Sequence, residues 1–206
     1  MFGQHVSPAV VDQLLNQDVE LAGEIREVCV MFLDIQGFTT FAENRRPEEV
    51  VEYLNGLFSV MIDVINRHNG IVNKFLGDGF MAIFGAPISD DSACRNAVAA
   101  ALEMVERVQA MSASGEIPST VIRLGLHAGE AVTGNVGSSE RKEYTIIGDV
   151  VNLASRLEQL NKQFGSRLLI SDTVLEHLDG QRERATALGE VQVKGRERPV
   201  QVYRLA

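Results

Sequence analysis

The sequence predicts an α+β domain with helices packed on one mainly antiparallel sheet. Three observations carry this expectation: three stretches with apolar residues at helical spacing, short β-prone runs between them, and hairpin chemistry at Gly77-Asp78-Gly79. The order strand, helix, hairpin, helix, strand, with more strands behind, gives such a sandwich.

Ser7-Pro8 has the form of a helix start, and Ala9–Leu15 reads as a short peripheral helix. A linker of small and acidic residues follows from Gln17 to Glu24. Val28–Asp34, an apolar run closed by an aspartate, reads as a buried strand. Pro47 fits the first turn of a helix whose apolar stripe is Val50, Leu54, Leu57, Met61 and Ile65; Asn69-Gly70 ends it. Ile71–Leu76 and Phe80–Phe84 form the two arms of the hairpin. A second helix carries Ala93, Ala97, Ala101, Met104 and Val108 on one face. Ile122, Leu124 and Leu126 alternate with Arg123, Gly125 and His127, the pattern of a half-buried strand. Gly134, Gly137, Ser138 and Ser139 read as a loop leading into a strand at Tyr144–Ile147. A third long helix runs from about Asp149 to Phe164, and Arg182–Leu205 reads as strands with a turn at Lys194-Gly195.

One topological rule reaches the chemistry. Strand Val28–Asp34, its crossover helix and strand Ile71–Leu76 make a βαβ unit, so the two strands run parallel. Asp34 closes the first and Asp78 sits in the turn after the second, which places both carboxylates on the same rim.

Composition narrows the function. The 206 residues are 45% hydrophobic and 23% charged, which suits one packed domain and not two large ones. Twenty-eight acids against 19 lysines and arginines leave a net charge of −9, so no nucleic-acid partner is expected. A small polyanion can still bind where local cations or metal ions offset that field. Cys29 and Cys94 are too few for a disulfide framework or a four-cysteine zinc site and read as reduced core thiols. No run of 18 apolar residues and no basic-then-apolar leader occurs, so the expected location is cytoplasmic.

Two aspartates on one rim, each beside glycine or a tight turn, suit a magnesium–phosphate site, because magnesium takes one or two carboxylates plus substrate phosphates. Gly37 lets the main chain approach a phosphate, and the N–H groups of Ile35, Gln36, Gly37 and Phe38 could line it. Each aspartate alone reads more readily as a turn former, and only as a pair on one rim do the two readings balance. Asn152 and Arg156, four apart, share one helix face opposite Val150, Leu153, Leu157, Leu160 and Phe164; such a pair alone usually marks a solvated face. Gly77-Asp78-Gly79 joins two strands and so is no dinucleotide fingerprint; the sequence also lacks a P-loop and a G-x-S-x-G elbow. His5, His68, His127 and His177 lack metal-ligand spacing, and His127 reads as a strand-end structural histidine.

Four segments, FLDIQGFT, NKFLGDGFMAIFG, EYTIIGDVVNLASRLE and VKGRERPVQVYRL, closely resemble in content and order the catalytic domain of class III nucleotidyl cyclases. The resemblance covers about Val28 to Leu205 and is nearest to bacterial adenylate cyclases with threonine at the second base-recognising position. It implies a ferredoxin-like βαββαβ core with additional C-terminal strands, residues 1–24 as a lead-in and 25–206 as the catalytic domain. It also implies a homodimer with composite active sites and two Mg²⁺ or Mn²⁺ ions held at Asp34, Ile35 and Asp78. By the same resemblance Lys74 and Thr145 recognise the base, Asn152 and Arg156 serve the transition state, and Lys194 contacts the terminal phosphates. One departure is Glu130, where some animal members carry a phosphate-binding arginine.

The implied reaction is attack of the 3'-hydroxyl of ATP on its own α-phosphate, giving 3',5'-cyclic AMP and pyrophosphate. Lys74 donates and Thr145 can accept, which matches adenine at N1 and N6. The competing readings are a guanylate cyclase, a catalytically silent cyclase-homology domain that regulates or dimerises a larger protein, and a two-metal phosphohydrolase. The last lacks a water-orienting base. The lead-in resembles the joint to an upstream sensor region, and Thr145 resembles a bicarbonate-responsive subgroup.

Overall fold

The computed structural model describes residues 23–138, 142–178, 184–193 and 198–206. Its centre is β1 (Glu24–Ile35), flanked by β3 (Phe80–Phe84) and β4 (Ile122–Gly137), both antiparallel to it. β2 (Gly70–Phe75) pairs antiparallel with β3, so β1 and β2 run in the same direction with β3 between them. The crossover rule predicted this sense for the α2 (Pro47–Arg67) connection, and both strands end on one rim. α1 (Phe38–Glu43) is a short turn of helix between β1 and α2.

The sheet continues beyond β4 through β6 (Leu168–Ser171), β8 (Val200–Arg204) and β7 (Thr186–Val191), in the order β2-β3-β1-β4-β6-β8-β7. β5 (Lys142–Ile147) pairs with β4 off this path, giving eight strands among the described residues. The β2-β3-β1-β4 part is the ferredoxin-like core, with α3 (Ala93–Ser114) as its second helix. The β4–β6 pair is parallel and the remaining pairs are antiparallel. Among the described residues no helix is long and apolar enough to cross a membrane.

Strand alternation separates two cores. Cys29, Met31 and Leu33 of β1 and Leu124 and Leu126 of β4 point to one face, where α2 (Leu57, Met61, Ile65) and α3 (Ala97, Ala101, Met104) cover them. Val28 and Val30 point the other way, against Val150 and Ala154 of α4 (Asp149–Phe164). α4 also buries Leu153 and Leu157 on Leu169, Val200 and Val202. α5 (Asp172–Glu176) is a single turn after β6.

Several boundaries differ from the sequence reading for identifiable reasons. β1 begins at Glu24, because Glu24–Glu27 pair with Glu130–Thr133 although their side chains are largely exposed. Gly134 and Gly137 are not in a loop: they lie in β4, opposite Thr145 and Lys142 of β5. The partner strand's ladder outweighs the weak strand propensity of glycine there. β6 is four fully buried residues, too short to show a period. α1 has no buried residue and so left no apolar pattern. Ala9–Leu15, most of the linker and the Lys194-Gly195 turn lie outside the described residues.

α4 approaches β4 closely at Gly125. A Cβ there would stand 2.1 Å from the Glu158 nitrogen and 2.6 Å from the Ala154 carbonyl oxygen, both main-chain atoms that cannot swing aside. Gly125→Ala should therefore lift α4 from the sheet and destabilise the domain by about 2–3 kcal/mol or more, seen as a thermal midpoint several degrees lower. An unchanged midpoint would mean that this helix–strand contact can relax freely.

Candidate active site

Asp34 and Asp78 meet because of a glycine. The β2–β3 turn is closed by the Leu76 N–H donating to the Gly79 carbonyl at 2.8 Å, with Gly77 at φ +71°. The turn lies on the end of β1 so tightly that a Cβ on Gly79 would stand 2.1 Å from the Leu33 carbonyl oxygen. This contact brings Asp78 into the field of Asp34. Burial first, and then the negative charge of Asp78, raise the Asp34 carboxyl from 3.8 to about 6. Arg123, directly opposite Asp34 on β4, and the Ile35 N–H pull it back.

A third carboxylate shares this field. Glu158, on α4 beside the Gly125 contact, is raised from 4.5 to about 7 by burial, then by Asp34 and Asp78, with Arg123 opposing. Three carboxylates and one guanidinium therefore act on one another here, and the excess negative charge is what a divalent cation would neutralise. The donors are hard oxygens, which fits magnesium or manganese. Among the described residues no three side chains form a complete metal cage. Two carboxylates with the remaining ligands drawn from phosphate and water is an ordinary magnesium arrangement.

The main chain after Asp34 is partly committed within the protein. The Ile35 N–H serves the Asp34 carboxylate, and the Gln36 N–H donates to the Val121 carbonyl at 2.9 Å. The cradle expected from four successive N–H groups thus narrows to Gly37 and Phe38, where Gly37 adopts φ +73° and opens α1.

On β2 and β5, Lys74 Nζ donates to Thr145 Oγ1 at 3.3 Å, so the two expected base-recognising residues of one chain are neighbours. One position earlier, Asn73 Nδ2 donates to the Tyr144 carbonyl at 3.0 Å. Asn152 is exposed and Arg156 half-buried, one turn apart on α4. The cation acting on Asp34 is Arg123. Lys194 lies outside the described residues. His127 is buried within β4, its Nδ1 2.8 Å from Ser171 Oγ, a structural role although at mid-strand.

Sequence reading assigned no role to Arg123, Glu158 or Asn73. The first was legible as the polar partner in the Ile122–His127 alternation, on the same face as Asp34. Glu158 closes the EYTIIGDVVNLASRLE segment.

The adenylate and guanylate cyclase catalytic domain family matches residues 21–206, and the chain belongs to it. It is 39% identical over 204 residues to the uncharacterized protein Rv1319c of Mycobacterium tuberculosis, covering 98% of this chain and 37% of that protein. Likewise it is 39% identical over 203 residues to the uncharacterized protein Rv1320c of the same organism, covering 98% and 35%. The chain thus spans little more than a third of the length of these curated relatives. Among solved structures it is similar to the adenylyl cyclase CyaB from P. aeruginosa, at 32% identity and TM-score 0.77, over 89% of this chain and 95% of that one. The guanylyl cyclase Cya2 gives 35% and 0.77, over 89% and 93%. A bacterial light-regulated adenylyl cyclase gives 29% and 0.85, over 97% and 58%.

The raised carboxyls set a pH dependence. In the metal-free fold Asp34 and Glu158 keep protons up to about pH 6 and 7, where the unfolded chain has released them. Their contribution is fully present below about pH 4 and is lost as pH rises to about 7. A bound divalent cation should reverse this loss. The increase in thermal midpoint on adding Mn²⁺ should therefore grow from pH 5 to pH 7.5 and shrink in Asp34→Asn, and the metal-free decline should be smaller in Glu158→Gln. A Mn²⁺ effect independent of pH would contradict the shared field.

Proposed function

We propose that the chain is the catalytic domain of an adenylate cyclase that converts ATP to 3',5'-cyclic AMP and pyrophosphate in sites shared between two copies of itself. The observation that carries the purine choice is the 3.3 Å contact of Lys74 with Thr145. Adenine offers an acceptor at N1 and a donor at N6, and guanine reverses both. A lysine can only donate, while a threonine hydroxyl has lone pairs to accept with. Both adenylyl and guanylyl cyclases stand among the similar structures, so ATP over GTP rests on these two side chains.

The carboxylates of Asp34 and Asp78, with the main chain at Ile35, would hold two Mg²⁺ or Mn²⁺ ions. When bound, such ions supply charge neutralisation for the triphosphate and a lowered pKa for the 3'-hydroxyl. The chain's own groups do the rest. Lys74 and Thr145 fix the base, the N–H groups of Gly37 and Phe38 meet phosphate oxygens, and Lys194 takes the terminal phosphates. Asn152 orients the ribose, and Arg156 stabilises charge growing on the α-phosphoryl group.

Asn152 and Arg156 would act on a nucleotide held by the other copy's aspartates. Two features support that arrangement. Arg123, and not Arg156, is the cation acting on Asp34. Phe75 and Leu76 beside the Asp78 turn, and Val136 and Ile147 on the β4–β5 arm, expose apolar surface that a second copy could cover. In the whole protein the domain would be the cytoplasmic output of a sensor region.

Incubation of the domain with ATP and Mg²⁺ or Mn²⁺ should yield cyclic AMP, with GTP turned over far more slowly; ADP as product, or no product, overturns the proposal. Subunit mixing tests the shared site. Asp34→Ala and Arg156→Ala should each be inactive, and each mixed dimer has one intact site of two. Half of the dimers are mixed at random exchange, so activity should recover to about a quarter of wild type. Persistent inactivity despite demonstrated exchange would place the site within one chain.

A further inference from the structure

Among the described residues β2 and β5 share no ladder: β2 pairs with β3, and β5 with β4. Side chains of β2 nevertheless reach β5, and the shorter of the two bonds is that of the Asn73 amide to the Tyr144 carbonyl at 3.0 Å. The next residue on each strand is half of the Lys74–Thr145 pair. Asn73 is also where the β2–β3 register slips, since Val72 faces Ala82 and Lys74 faces Met81. It is therefore the extra residue of a bulge, a device that re-aims the side chains around it.

The chemistry of the amide separates a geometric role from a stabilising one. Nδ2 has its partner, but Oδ1 is buried and unbonded. Rotating the amide by half a turn would set Oδ1 against the Tyr144 carbonyl, so the orientation is fixed. The net gain from one neutral hydrogen bond is no larger than the cost of a buried acceptor without a donor. The tie therefore adds little to stability, while it holds the two strands together one residue from Lys74 and Thr145.

We propose that Asn73 is a positioning residue for purine recognition: its bond to the Tyr144 carbonyl sets the spacing of Lys74 and Thr145 and thereby the preference for ATP over GTP. This rests on the reading of Lys74 and Thr145 as the base pocket.

The test uses Asn73→Leu, which keeps the branching at Cγ and cannot donate, with Asn73→Ala as the second variant. For each, the thermal midpoint is measured together with kcat and KM for ATP and for GTP. The midpoint should stay near the wild-type value and kcat for ATP within about twofold, while KM for ATP rises and the ATP-over-GTP ratio of kcat/KM falls about tenfold. Adding Thr145→Ala to Asn73→Leu should produce less than the product of the separate effects, because both act on the same pocket. Unchanged selectivity in both Asn73 variants overturns the inference and leaves the cyclase reading intact. So does a large fall in midpoint with selectivity unchanged, which would make the tie structural. A wild-type domain that cyclises neither nucleotide removes both.

Discussion

The candidate site depends on two like charges being held together at the end of one strand. Left to itself, Asp78 would move away from Asp34. It stays because the turn that carries it is pressed onto the Leu33 carbonyl at a residue with no side chain, and because β2 is anchored through β3 to the same sheet. Burial first, and then the Asp78 charge, raise the Asp34 carboxyl to about 6, so the like charge adds to a cost that burial already imposes. Folding energy spread over a large apolar core opposes it, and a single guanidinium beside the pair relieves part of it.

The rest of the architecture delivers groups to that point from different directions. β1, in the middle of the sheet, supplies Asp34; the α2 crossover makes β2 arrive in the same sense and supply Asp78. β4 contributes Arg123 by register alone. From the opposite face, α4 settles on Gly125 and turns Glu158 toward the carboxylates, while Asn152 and Arg156 follow its other sides. One helix thus serves the site beneath it and offers side chains elsewhere.

How much of this was legible in the sequence varied with the kind of information. The handedness of a βαβ unit sufficed to place Asp34 and Asp78 on one rim, because that rule needs only element order. Helix limits at Pro47 and Asp149 followed from local signals that tertiary structure did not override. The Lys74–Thr145 pairing needed the family resemblance, since nothing in either strand's pattern says that β5 reaches back to β2. Gly134 and Gly137 misled because a ladder with β5 decided their conformation. The bulge at Asn73 was invisible for a similar reason: a register slip belongs to two strands at once and has no signature in one.

Arg123 has a meaning beyond electrostatics at equilibrium. In small zinc domains the ligands are useless to one another without the ion, so the chain waits unfolded for its metal. Here a permanent internal counter-ion stands opposite Asp34, and the carboxylates can also retain protons. At the proposed metal site, folding would therefore not have to wait for the ion. In the proposed two-metal enzyme, cation supply would govern activity and not the lifetime of the fold.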